Sequence, residues 1–296
     1  MEVSVKMHRM KKWVKFILFV VAACALQWSC HKATDGFAIE KISSSLSFHP
    51  EWEVSSPSEE ELTELRAIFK QKFRYLAKGA QCFVFASEDG QTVIKFFRHS
   101  HMRPPLWLTL SAFPGSLENF RQEKIAKQWD KLGKDFASYK LAYQTMQERT
   151  GIRFLHLNKT KTLNCAVTIV DKIGIAHTLD LDTMEFLVQK KATLVYPTLD
   201  TLISQGNVEE AKHALTDLVS LLKWRAEKGI FDKDPDLNTN FGFVEGKAVQ
   251  IDVGRFKESG CTGSREELLR ITDNLQQWLQ NKSPELCEHL LKEINV

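Results

Sequence analysis

Apolar and polar positions fall into distinct regimes along the chain. Residues 16–30 carry no charge, residues 16–26 are the apolar heart of that stretch, and Lys11, Lys12 and Lys15 precede it. A basic start followed by a short apolar segment predicts a signal peptide or membrane anchor over 1–30. Residues 31–61 are polar, with serine clusters at 43–45 and 55–58, and read as a tether. Ser58 followed by Glu59, Glu60 and Glu61 marks a helix start that leads to Leu62, Leu65, Ile68 and Phe69. Two β-like runs follow, 75–86 and 91–97, joined by a segment whose Asp89-Gly90 is a hairpin signal. Residues 116–147 place Ile125, Trp129, Leu132, Phe136, Tyr139, Tyr143 and Met146 three or four apart, which predicts one buried helix face. Further strand-like runs lie at 153–157, 166–170 and 185–189, with a turn at 171–174. From Thr198 the pattern turns helical, most clearly over 208–228 with its stripe of Ala211, Leu215, Leu218, Leu221 and Leu222. A loop at 229–240 and a hairpin of 241–244 with 248–251, turned by Glu245-Gly246, complete it. Strands segregated ahead of helices predict an α+β fold.

Composition narrows the function classes. With 296 residues, 43% hydrophobic and 26% charged, the chain is neither disordered nor collagenous. Its net charge of +3 owes six basic residues to the first 33 positions, and beyond them 34 basic residues face 36 acidic ones. The body therefore offers nucleic acid no electrostatic footprint. Cys24 and Cys30 lie in the leader and Cys82, Cys165, Cys261 and Cys287 in the body, with no CxxC and no Cys/His cluster, which excludes a structural zinc site. The body cysteines fit free thiols or one or two disulfides. Val21-Ala22-Ala23-Cys24 resembles a bacterial lipobox, so the membrane partner is reached by lipid on Cys24 or by the apolar segment itself. Either way the positive-inside rule places the rest of the chain outside the cytoplasm.

Hydrolase and zinc-peptidase readings find no GxSxG and no HExxH. His156, between Leu155 and Leu157, reads as a surface or satisfied core histidine. Chemistry concentrates instead in KGIFDKD at 228–234, IDVG at 251–254, TVIK at 92–95 and AKGAQCFV at 77–84. In this order the motifs resemble those of the protein-kinase-like fold superfamily, with the chain a divergent bacterial member over 73–296. The resemblance implies a bilobal fold, with a small β-rich N-lobe at about 73–190 and a helical C-lobe at about 191–296. It implies ATP and Mg²⁺ as cofactors and transfer of the γ-phosphoryl group to a hydroxyl, most readily of protein Ser/Thr.

The resemblance also assigns roles. Asp234 would be the catalytic carboxylate that orients the hydroxyl and takes its proton, with Asp232 as the alternative. Asp252 and Asn240 would hold the metal; Thr239 stands where the family has asparagine, and Asn238 is the less favoured substitute. Lys95 would contact the phosphates. Gly79 is the one glycine kept from the family's phosphate loop, and Glu123, or else Glu118, would pair with Lys95. Two rival readings share these residues: an envelope-associated pseudokinase acting as a binding or scaffold module, and a small-molecule or sugar kinase on the same fold.

Overall fold

The computed structural model describes residues 2–55, 57–110, 115–258 and 265–295; Cys261 lies outside them. Seven strands form the main sheet: β1 Lys72–Lys78, β2 Cys82–Ser87, β3 Thr92–Phe97, β4 Ile152–His156, β5 Ala166–Val170, β6 Ala176–Asp180 and β7 Phe186–Lys190. Their spatial order is β4-β7-β3-β2-β1-β5-β6. The run expected as one strand over 75–86 is two. The chain reverses between them where the Gly79 amide donates to the Cys82 carbonyl at 2.9 Å. The β5–β6 hairpin leaves the chain between β4 and β7 and adds to the opposite edge, with β5 parallel to β1. Strand β6 has no counterpart in the sequence reading, because of its five residues only Leu179 is buried and an edge strand of this kind shows no alternation.

The helix Glu59–Ile68 begins as its sequence predicts. Ser58 Oγ accepts the Glu61 amide at 3.2 Å while Glu61 Oε2 accepts the Ser58 amide at 2.7 Å, so two end groups are satisfied reciprocally. Leu62 and Leu65 pack with Phe73, Phe83, Phe96 and Phe186 in the core of the sheet-rich lobe. The long helix Ser116–Thr145 departs from expectation in its first half. Burial starts at Leu132 and continues through Phe136, Tyr139 and Ala142, whereas Trp129 stays 43% exposed. The apolar stripe outruns the surface that the helix has to pack against.

Residues 31–61, read as a polar tether, lie against the sheet-rich lobe. Phe37 meets Phe83 and Phe85 edge-on at 5.2 and 5.3 Å, Ile42 is buried, and Trp52 stacks on His49 and contacts Phe136. Ser44 donates to Glu185 at 2.6 Å, and Asn158 exchanges two hydrogen bonds with the backbone of His49. Three large anchors scattered among polar residues carry no period, so the pattern alone hides the packing. His156 is a satisfied core histidine, with Nδ1 2.7 Å from the Met184 carbonyl and Nε2 3.1 Å from the Thr160 hydroxyl.

After β7 the chain passes through β8 Thr193–Leu194 into the helices Val195–Ser204 and Val208–Glu227. Then come β9 Ile230–Asp232, β10 Phe241–Val244, β11 Lys247–Gln250 and β12 Phe256–Glu258, and the helices Arg265–Lys282 and Pro284–Asn295. Strands β11-β10-β8 form one small sheet and β12-β9 another. Their shared core includes Leu215, Leu218, Leu222, Phe241, Leu275 and Leu290. Gly242 is required where β8 crosses, since a Cβ there would stand 2.4 Å from the Thr193 carbonyl oxygen. A β-rich lobe thus precedes a helical lobe, the α+β arrangement that the sequence implies. Ahead of both, Glu2–Ala33 is a single helix. Its segment Trp13–Ala33, 21 residues of mean hydropathy 1.7, is long and apolar enough to cross a membrane by length and composition. The helix runs beyond the uncharged stretch at both ends, which is why the sequence alone suggested a shorter span.

Candidate functional site

Lys95 sits near the centre of β3, opposite Val84 on β2 and Leu187 on β7. Its Nζ reaches between the lobes and donates to the Ile251 carbonyl at 2.6 Å. Burial pushes its pKa down, while Asp252 and Cys82 pull it back up. Asp252 follows immediately, exposed at the turn after β11, with Oδ1 accepting the Gly254 amide at 3.2 Å. Asn240 ties this turn to the loop that follows β9. Its Nδ2 donates to the Asp234 carbonyl at 2.7 Å, and its own carbonyl accepts the amides of Ile251 at 2.8 Å and Asp252 at 3.4 Å. Asn238 is exposed, and its backbone amide donates to Asp236 Oδ1 at 3.0 Å. Lys95, Asp234, Asn240 and Asp252, spread over 158 positions of sequence, are therefore joined through one hydrogen-bonded frame.

The two candidate bases occupy different environments. Asp232 is 3% exposed, 3.5 Å from Arg225, accepts from Gln250 Nε2, and takes the Asp234 amide at 2.9 Å. Burial raises its pKa, against the pull of the Asp234 amide and of Arg225. Asp234 instead turns its carboxylate outward, with its side chain 52% exposed and Oδ2 2.9 Å from Arg255. Asp232 holds the loop, and Asp234 leaves its carboxylate at the surface. Arg225 and Gln250 escaped sequence reasoning because nothing local marks a charge that a distant loop will neutralise.

Gly79 lies at the turn between β1 and β2, where Arg98 Nη1 donates to its carbonyl at 2.7 Å. A Cβ there would find only ordinary contact, 3.6 Å from the Cys82 carbonyl. Glu123 stands exposed on the outer half of its helix, paired with Lys127 at 3.1 Å, and among the described residues no hydrogen bond or ion pair joins it to Lys95. Glu118 pairs with Arg121 at 2.6 Å. The part of that helix facing the cleft is Asp135, Ser138 and Tyr139. Ser138 Oγ donates to the Val253 carbonyl and accepts the Phe256 amide at 2.6 Å. Tyr139 donates to Gln81 Oε1 at 2.9 Å, and Gln81 Nε2 donates to the Gly254 carbonyl at 3.2 Å. Gln81 comes from the β1–β2 turn, so one side chain latches that turn, the long helix and the segment after Asp252 together. The fit is close: a Cβ on Gly254 would lie 1.7 Å from Gln81 Oε1. Asp135 is 8% exposed, its Oδ2 has no hydrogen-bond partner, and burial pushes its pKa up to about 6 against the pull of Lys131 and Arg255.

This set can grip an anion through a half-buried ammonium, offer carboxylate and carboxamide oxygens to a cation, and accept a proton at an exposed carboxylate. No family model and no curated protein matches the chain. Among solved structures it is similar to Rv3197 of Mycobacterium tuberculosis in complex with erythromycin, at 13% identity and a TM-score of 0.33, covering 99% of this chain and 75% of that one. It is also similar to WbdD bound to the kinase inhibitor LY294002, at 13% identity and a TM-score of 0.35, covering 75% of this chain and 44% of that one. A second structure of WbdD, described as a bifunctional kinase-methyltransferase, gives 14% identity and a TM-score of 0.34, covering 73% and 42%. The chain spans less than half the length of WbdD. β3 delivers Lys95 to the turn that carries Asp252, between a β-rich lobe and a helical one, which is the arrangement implied by the motifs' resemblance to the protein-kinase-like superfamily.

Proposed function

We propose that the chain is an ATP- and Mg²⁺-dependent phosphotransferase that moves the γ-phosphoryl group to a hydroxyl, on a protein serine or threonine or on a small molecule or sugar. One observation carries the reading: the Lys95 ammonium, drawn out of water, ends 2.6 Å from the carbonyl that precedes Asp252. Among the described residues no carboxylate lies within ion-pair distance of Lys95, so this half-buried cation has room for a phosphate as its counter-charge. Asp252 and Asn240 supply the hard oxygen donors that Mg²⁺ prefers, and the ion, when bound, neutralises phosphate charge. The acceptor oxygen bonds to the γ-phosphorus as the bond to the bridging oxygen breaks. ADP leaves with that electron pair, and Asp234 takes the hydroxyl proton.

The helix Trp13–Ala33 supports attachment to a membrane. The test of the activity is a nucleotide titration with and without Mg²⁺ on the full chain in detergent, parent against Asp252→Ala. Mg²⁺-dependent binding lost in the variant supports the reading, and equal affinity in both counts against it. The pseudokinase reading has its own observation, the Gln81 side chain lying against Gly254 where phosphates would approach. Absence of nucleotide binding in the parent would favour that reading.

A further inference from the structure

A cavity of about 940 Å³ opens between the long helix Ser116–Thr145, the loop that carries Lys233, and β12, and its wall residue Arg255 pairs with Asp234 at 2.9 Å. Its walls carry Lys131 and Lys134 from the helix, Lys233 from the loop, and Arg255 and Lys257 from the segment after Asp252. The register explains the crowding: β12 pairs with β9 so that Lys257 stands opposite Phe231 and Phe256 opposite Asp232, which brings Lys233 up against Lys257. Of the wall's acids, Asp130 is taken by Lys134, four positions along the helix, and Glu51 is taken by His49 at 2.9 Å. Asp135 is buried and Glu258 exposed. Arg255 is held by Asp234. Among the described residues no carboxylate lies within ion-pair distance of Lys131, Lys233 or Lys257, although all three line one concavity next to the proposed base. Holding like charges this close is unfavourable, and the Lys233 pKa is lowered, first by Lys257.

We propose that this cavity binds an anionic group, a phosphate or carboxylate, carried by the same acceptor whose hydroxyl is phosphorylated at Asp234. The hydroxyl half of the statement rests on the phosphotransferase reading; the anion half rests on the placement of the cations alone. The wall lysines grip the anionic group and so orient the acceptor, a contact that would be repulsive for a cationic one. The anionic group belongs to a soluble acceptor or to a lipid headgroup.

The experiment titrates the full chain in neutral detergent with inorganic phosphate, and separately with Mg²⁺-nucleotide. It compares the parent, the Lys233→Gln/Lys257→Gln double variant, the single variant Lys131→Gln, and Lys282→Gln as a distant control. Saturable phosphate binding that weakens about tenfold in the double variant and stays unchanged in the control supports the proposal. A second arm repeats the titration in mixed micelles with and without phosphatidate. Lysine-dependent retention on the anionic micelles alone assigns the headgroup source, and lysine-dependent binding of free phosphate assigns a soluble one. No saturable binding in either arm, or binding indifferent to Lys131, Lys233 and Lys257, overturns the proposal. Nucleotide binding without anion binding sinks this inference and leaves the phosphotransferase standing, whereas anion binding without nucleotide binding sinks the phosphotransferase and the hydroxyl half and leaves the anion site standing.

Discussion

Replacing Asp135 with asparagine keeps the shape of the side chain and removes a charge that the fold holds at a cost. Burial moves this carboxyl from 3.8 to about 6, and its Oδ2 lacks a hydrogen-bond partner. A folded-state pKa above the unfolded one means that the folded protein binds the proton more tightly. Stability therefore falls as the pH climbs from about 4 to about 6 and stays at the lower level above. The penalty at pH 7.5 is about 3 kcal/mol. Asp135→Asn should recover most of it, raising Tm by about 6–12 °C for a domain of this size. At pH 4 the parent is already protonated there, and the gain should shrink below about 1 kcal/mol. Thermal unfolding of both proteins at the two pH values, followed by circular dichroism in detergent, reads the difference. A gain of equal size at pH 4 and 7.5, or none at 7.5, would refute the assignment of the cost to a buried charge.

Asp234→Asn should lower kcat by roughly 10²–10⁴-fold in a phosphotransfer assay with little change in nucleotide affinity. Asp232→Asn should act on the fold instead: it leaves Arg225 buried without its counter-charge, at a cost of roughly 1–3 kcal/mol in denaturant unfolding. A dead but stable Asp232→Asn beside an active Asp234→Asn would reverse the two roles. Gln81→Ala removes both ends of the latch to Tyr139 and Gly254, so nucleotide affinity should rise about 5- to 30-fold in the titration; unchanged or weaker affinity means that the latch does not compete with phosphates. The full chain should fractionate with membranes and a chain lacking residues 1–33 should not, and recovery of both in the soluble fraction would remove the anchoring role of the helix.

The motifs around the cleft were legible because they are short and local. The KGIFDKD loop, the aspartate-glycine turn after a hairpin and the strand-borne lysine each announce their backbone setting, and the structure joins them through Asn240 and the Ile251 carbonyl. What stayed hidden depends on partners far away in sequence. Asp135 lies on the same helix as Glu123 and Glu118, and only the folded helix shows that it, rather than they, faces the cleft. The stripe through Ile125 and Trp129 has helical period but no surface to cover, so periodicity promised burial that tertiary packing did not supply. Phe37, Ile42 and Trp52 fail in the opposite sense, being deeply packed without any period.

Between the end of the apolar helix at Ala33 and Phe37, already inside the core of the sheet-rich lobe, only Thr34, Asp35 and Gly36 intervene. Asp35 is pinned by Lys172 at 2.7 Å and Tyr75 at 3.0 Å. Three residues reach about 10 Å even when fully stretched. With the helix in a bilayer, the cleft patrols a thin layer of water at the lipid surface rather than a volume. For the phosphotransferase proposed above, turnover then follows how densely acceptors are spread over that surface, and dilution of the bulk leaves it untouched for any acceptor that shares the same sheet of lipid.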